Sequence, residues 1–204
     1  MTGRGSRIER NRRYRERQPD RFELRQRFLI VCEGEKTEPS YFRQFPLPPD
    51  SVIEVYGLGA NTLGLVKQAV KLRRNARYAQ VWCVFDRDSF PAENFNAALA
   101  LAQEKDIHVA YSNEAFELWY VLHFEYLNSG ISRKDYIVKL ESNLGHPYAK
   151  NSESIYKELY TRQAIAIQNA RKLLAEYRPR DPVNDNPSTT VHWLVDELKN
   201  LYFR

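Results

Sequence analysis

From Phe28 onward the chain alternates between two textures. Short apolar runs rich in β-branched residues occur at 28–32 (FLIVC), 52–56 (VIEVY), 81–85 (VWCVF) and 107–111 (IHVAY). Each is too short for a helix and has little polar interruption, which is the pattern of strands covered on both faces in a parallel sheet. Helical spacing lies between them. Residues 61–77 carry Leu63, Leu65, Val66, Ala69, Val70 and Leu72, with Asn61 or Thr62 placed to cap them, and the Ala- and Leu-rich stretch 92–104 follows Pro91. Strands alternating with helices predict βαβ units, hence an α/β fold with a mostly parallel central sheet flanked by helices.

Beyond the fourth run the pattern is mostly helical. Residues 114–125 are aromatic-rich, and 153–177 place Ile155, Leu159, Ala164, Ile165, Ile167, Ala170, Leu173, Leu174 and Tyr177 at helical spacing. The stretch 178–187 (RPRDPVNDNP) reads as an irregular connection. A last helix is expected from Ser188 or Thr189, after Pro187, burying Val191, Leu194, Val195, Leu198 and Leu201. No internal repeat is visible.

Residues 1–24 have a different character. Arg4, Arg7, Arg10, Arg12, Arg13, Arg15, Arg17 and Arg21 dominate, and apolar residues are sparse. Such a segment buries too little surface to offset its ordering entropy, so a flexible basic arm is expected ahead of one domain over 25–204. The arm is either a phosphate-binding tail, with Arg10, Arg12, Arg13 and Arg15 at its centre, or a solvated leader.

Composition narrows the class. Hydrophobic residues make up 43% of the 204, enough for a core, and disorder throughout is excluded. The net charge of +5 suits an anionic partner such as DNA or RNA. The two cysteines, Cys32 and Cys83, sit inside apolar runs and read as buried thiols rather than a disulfide or metal cluster. No stretch approaches the roughly 18 apolar residues of a membrane span, and no secretory signal is visible. A cytoplasmic protein is expected, and a homo-oligomer stays open.

The chemistry is concentrated where two strands run into acids. The first ends in Glu33-Gly34-Glu35 and the third in Asp86-Arg87-Asp88. Open parallel sheets bind ligands beyond the carboxyl ends of their strands. Carboxylates converging there repel unless a cation sits between them, and a hard divalent ion such as Mg²⁺ (or Mn²⁺) takes oxygen ligands of this kind. Gly34 permits a sharp turn and close approach of a ligand to the backbone. The bland alternative is a pair of solvated acidic loops.

FLIVCEGEKTE followed by VWCVFDRDS resembles a Toprim domain, a metal-binding fold found in topoisomerases, primases and nucleases. SNEAFELWYVLHF, Tyr148-Ala149-Lys150-Asn151 and the closing NPSTTVHWLVDEL resemble the RloB-like proteins in particular, over about residues 27–200. Glu114 stands where that pattern has proline, and a helix start there is expected to tolerate it. The resemblance implies phage defence beside a partner ATPase. Through the related OLD (overcoming lysogenization defect) group it implies a metal-dependent nuclease.

On that reading Glu33 is the main metal ligand and a candidate general base, and Asp86 and Asp88 hold the same ion or bridge two. Ser89 is placed to orient a ligand or water. Glu38 and Glu35 are secondary candidates for a second ion, although an acid at a helix start also favours the helix dipole. Glu117, inside FELWY, either supports the metal site or pairs with an arginine. Ser112 and Asn113 are candidates to line the same crevice. His123 is either a core histidine or a catalyst, the former being commoner. Lys150 and Lys36 are candidates to neutralise phosphate charge, Lys150 in a catalytic role. The competing reading is a non-catalytic nucleic-acid or nucleotide-binding subunit. A strand-passing or polymerising enzyme ranks last. No G-x-x-x-x-G-K-[ST] loop is present, so an ATPase would have to be a partner.

Overall fold

The computed structural model describes residues 26–88 and 91–203. The basic arm, with Arg10, Arg12, Arg13 and Arg15, lies outside them, as does Ser89. The strands are β1 (Gln26–Cys32), β2 (Ser51–Gly57), β3 (Gln80–Asp86), β4 (His108–Asn113) and β5 (Ser188–Thr189). The helices are α1 (Thr37–Arg43), α2 (Thr62–Leu72), α3 (Ala92–Glu104), α4 (Glu117–Val121), α5 (Arg133–Leu144), α6 (Ile155–Tyr160), α7 (Gln163–Ala175) and α8 (Val191–Asn200).

The sheet order is β2-β1-β3-β4-β5, with β1 to β4 parallel and β5 antiparallel to β4. This is the α/β fold with a mostly parallel sheet that the apolar runs predict. From β1 the chain crosses to β2 on one side and then returns past β1 to β3. The direction therefore reverses between β1 and β3, and a crevice opens outside their carboxyl ends. Crossovers of one hand put helices on opposite faces when the direction reverses, and the core divides accordingly. Leu29, Val31, Cys83 and Phe85 pack with α2 and α3, whereas Phe28, Ile30, Cys32, Trp82 and Val84 pack with α1 and α4 to α8. Successive strand residues thus serve opposite layers, which is why the runs are apolar without alternation. Both cysteines are buried free thiols. Among the described residues no helix is long and apolar enough to cross a membrane.

Four details differ from the sequence reading. The 153–177 pattern is two helices, because Arg162 N–H bonds back to Leu159 O at 2.9 Å in a tight turn between α6 and α7. The 114–125 segment is helical as α4 only at Glu117–Val121. Glu114 does not start that helix; it follows a cis peptide bond from Asn113. Ser188 and Thr189 are not the start of the last helix but a short edge strand. Thr189 Oγ1 donates to Tyr111 O at 3.0 Å and Tyr111 N–H donates to Thr190 Oγ1 at 2.9 Å, so hydroxyls dock this segment on β4 and α8 begins at Val191. Asn61 caps α2, its Oδ1 accepting Gly64 N–H at 2.8 Å, as its position suggested.

A carboxylate-lined cleft at the strand ends

A cleft of about 470 Å³ opens at the carboxyl ends of β1 and β3. Glu33, Glu35, Glu38, Asp86, Asp88 and Glu117 line it with Lys36, Arg133 and Lys150. Each arrives by a separate local device. Cys32 is the last residue of β1, and Glu33 N–H still donates to Val84 O at 2.9 Å, so Glu33 sits beside the end of β3. Asp86 closes β3, and Arg87 N–H donates to Ser112 O at 2.7 Å while its Nε donates to Val183 O at 3.1 Å, pinning the Asp86-Arg87-Asp88 turn. Glu38 is in the first turn of α1, and its buried carboxylate reaches back to accept Gly34 N–H at 3.2 Å. Glu117 opens α4 and accepts a long bond of 3.4 Å from Tyr148 OH.

The turns behind the cleft interlock. Gly59 N–H donates to Glu33 O at 2.9 Å with Gly59 at φ 58°, a left-handed conformation that favours glycine. A Cβ on Gly57 would lie 2.6 Å from Gly34 O. The Glu33–Lys36 turn and the turn after β2 are therefore set against each other at backbone contact.

Strand parity points Glu33 and Asp86 toward opposite helical layers. Val31 and Phe85 face α2 and α3, so Glu33 leans to that side, where Thr62 at the start of α2 donates its hydroxyl to Glu33 Oε1 at 3.1 Å. Glu33 Oε2 accepts Asp86 N–H at 3.2 Å. Asp86 follows the other parity, with Val84, toward α4 and α5, where Arg133 Nη2 donates to its Oδ2 at 3.0 Å. Asp86 Oδ1 is buried with no hydrogen-bond partner among the described residues.

The electrostatics follow from this crowding. Burial raises the Glu33 carboxyl to about 7, against the Asp86 N–H and Thr62 hydroxyl, with Asp88 and Glu38 pushing the same way as burial. Burial also raises Asp86 well above the ordinary carboxylate range; Glu38 and Glu117 add to the rise and Arg133 opposes it. Glu38 is raised by burial and by Glu117. Glu33 and Asp86 are thus both raised by Glu38, and Glu33 adds to the rise of Asp86, so the acids act as one interacting cluster. All are oxygen donors of the kind a hard divalent cation takes, and the unpartnered Asp86 Oδ1 is an acceptor that such an ion could satisfy. As the side chains stand, however, no three His, Cys, Asp or Glu residues among those described surround a common point in metal-binding geometry.

Lys36 and Lys150 are exposed at the mouth of the cleft. Ser112 and Asn113 do not line it, in contrast to the expectation. Ser112 Oγ bonds Thr189 Oγ1 at 2.9 Å and Asn113 Nδ2 donates to Asp185 O at 2.9 Å, so both tie β4 to the C-terminal segment. His123 is a core residue, with Nδ1 on Trp119 O at 2.9 Å and burial lowering it to about 4. Two cleft contributors escaped the sequence reading. Thr62 was read there only as an alternative cap. Arg133 has no local signal beyond its place after the Ser132 capping box, in which Ser132 and Asp135 bond each other's backbone N–H.

No curated protein and no solved structure matches the chain. A family model described as RloB-like protein matches residues 28–198, a span that holds β1 from Phe28, β2 to β5 and every cleft residue described above. The chain belongs to the RloB-like protein family.

Proposed function

We propose that this protein is a Mg²⁺- or Mn²⁺-dependent nuclease of the Toprim type, hydrolysing phosphodiester bonds of DNA or RNA, and that it serves as a cytoplasmic phage-defence effector with a partner ATPase. One observation carries the reading: acids from the ends of two neighbouring parallel strands, Glu33 and Asp86, meet in one cleft with Asp88, Glu38 and Glu117, and the buried Asp86 Oδ1 has no donor among the described residues. The donors are oxygens of the kind a divalent ion takes, and the side chains would have to turn inward to close around one. Asp86, Glu38 and Glu117 would hold it on one side, and Glu33 with Asp88 would hold it, or a second ion, on the other. Such an ion supplies charge stabilisation on phosphate oxygens and acidifies an associated water.

The chain's own groups complete the chemistry. Burial raises the Glu33 carboxyl to about 7 before an ion is present; an ion beside it would hold the carboxylate ionised, leaving Glu33 able to accept a proton from water. Thr62 and the Asp86 N–H hold that carboxylate in one orientation. Lys150 and Lys36 at the mouth offset negative charge on an entering phosphodiester.

The test is incubation of labelled DNA and RNA pools with Mg²⁺ or Mn²⁺, with and without the neighbouring ATPase. Cleavage that disappears in Asp86→Ala with the fold intact is the expected result; equal cleavage by that variant overturns it. A second reading, a binding subunit without cleavage, draws on Arg133 holding Asp86 where a cation would sit. It predicts salt-sensitive nucleic-acid binding and no cleavage even with the ATPase present.

A further inference from the structure

Among the described residues, six acidic side chains and three basic ones line the cleft. Lys36 and Lys150 stay exposed at its mouth, whereas Arg133 reaches inward to Asp86. Its contact is incomplete for an arginine. The planar guanidinium fork matches a carboxylate through two parallel bonds, yet Nη2 meets Oδ2 at 3.0 Å while Oδ1 has no partner among the described residues. The two ends of the pair also differ in setting. The Asp86 side chain is 15% exposed and that of Arg133 38%, so the arginine approaches from the solvent side and can withdraw without leaving a void. Asp86, Glu117, Asp88 and Glu114 all favour a cation at its position.

From this geometry we infer that Arg133 is an exchangeable counter-ion: a divalent cation that takes Asp86 displaces the guanidinium, which turns to a nucleic-acid phosphate at the cleft mouth. The inference rests on the metal-dependent reading above and adds a residue to it. Arg133 balances the acids before the ion arrives. Once the ion supplies that charge, Arg133 is surplus at Asp86 and its fork is free for the bidentate contact that phosphate offers. Ion and nucleic acid should then bind cooperatively, because each favours the released arginine.

The experiment uses the full chain. Mn²⁺ binding is measured by calorimetry for the parent and for Arg133→Gln. Binding of a fluorescein-labelled thymidine oligonucleotide is measured by anisotropy in Ca²⁺ and in EDTA. Loss of the competing cation should tighten Mn²⁺ about two- to fivefold in Arg133→Gln, the scale of one partly exposed ion pair. The parent should bind the oligonucleotide more tightly in Ca²⁺ than in EDTA, and Arg133→Gln should lose most of that gain. An independent readout needs no altered cleft. The Arg133 Nε–H resonance, assigned by its absence in Arg133→Lys, should move toward that of a free arginine as Mg²⁺ is added to the parent. A resonance unmoved at saturating Mg²⁺, or Mn²⁺ binding no tighter in Arg133→Gln, overturns the exchange and leaves the metal reading standing. A parent that binds no Mn²⁺ overturns the metal reading itself.

Discussion

Glu33 Oε2 accepts the backbone N–H of Asp86 at 3.2 Å, across 53 residues of sequence. The bond fastens the end of β1 to the end of β3 and holds a half-buried carboxylate at the reversal point of the sheet. A carboxyl raised in the folded state makes stability depend on pH in a defined direction. The folded protein binds that proton more tightly than the unfolded chain, so the contribution is full below the ordinary value of 4.5 and is lost as pH rises through about 7. In EDTA, denaturant unfolding between those limits should show stability falling with pH by about 1 kcal/mol after allowance for solvent screening. Glu33→Gln should flatten that slope. With saturating Mg²⁺ the slope should reverse, since the ion binds the ionised form. A parent and Glu33→Gln with identical profiles in EDTA would exclude Glu33 as the titrating group.

Thr62 donates its hydroxyl to the other Glu33 oxygen at 3.1 Å. Thr62→Val keeps the shape and removes the donor, so stability should change by about 1 kcal/mol or less. The Glu33 carboxyl should rise further, because a bond that favours the ionised form is gone. Outer partners that orient ligands typically matter about 10- to 100-fold for metal affinity, and a loss near the lower end is expected here. Calorimetry with Mn²⁺ would check it; unchanged affinity would mean that Thr62 serves α2 alone.

Gly57 ends β2 against the Glu33–Lys36 turn. A Cβ there would lie 2.6 Å from Gly34 O and 2.9 Å from Glu35 Cα, both backbone atoms that cannot rotate away. Gly57→Ala should therefore destabilise by about 1–3 kcal/mol, the usual range for forced overpacking. It should also weaken Mn²⁺ binding by displacing the turn that carries Glu33. Thermal unfolding and calorimetry on the same sample test both effects, and a variant with parental stability would show that the two turns are not in contact in solution.

The sheet was readable because FLIVC and VWCVF are unbroken apolar runs, and strands covered on both faces leave that trace. Glu33 and Asp86 were readable because an acid ending such a run has no place in either core layer. Strand parity adds that Glu33 falls on the α2 and α3 side and Asp86 on the other. Arg133 was invisible because its partner Asp86 lies 47 residues away and only the docking of α5 beside α4 joins them. Ser188 and Thr189 follow a proline as helix caps often do, and the pattern predicted a helix start. Their hydroxyls instead bond across to β4, a tertiary choice that local propensity does not encode.

Lys36 and Lys150 stand exposed at the cleft mouth. If they meet phosphates, each replacement by alanine should weaken oligonucleotide binding similarly across sequences. The slope of log affinity against log salt should fall by about 1 for each lysine–phosphate pairing removed. Deleting residues 1–24 should reduce the slope by more, since the segment carries Arg10, Arg12, Arg13 and Arg15 among its basic residues. Anisotropy titrations across a salt series measure both. Slopes equal to the parent's would place the nucleic acid elsewhere on the molecule.

Asp86 sets function against stability. Burial and the nearby Glu38 and Glu117 oppose its ionised form, and Arg133 offsets them only in part. At neutral pH in EDTA, Asp86→Asn removes that charge while keeping the shape, and Arg133, more exposed, can turn to solvent. The variant should therefore be at least as stable as the parent, as expected where a functional site holds destabilising charge. The same change removes a metal ligand, so the rise in melting temperature on adding Mg²⁺ should vanish. Thermal unfolding with EDTA and with Mg²⁺ gives both comparisons. A variant less stable in EDTA that still gains with Mg²⁺ would mean that Asp86 serves the fold through Arg133 and holds no ion.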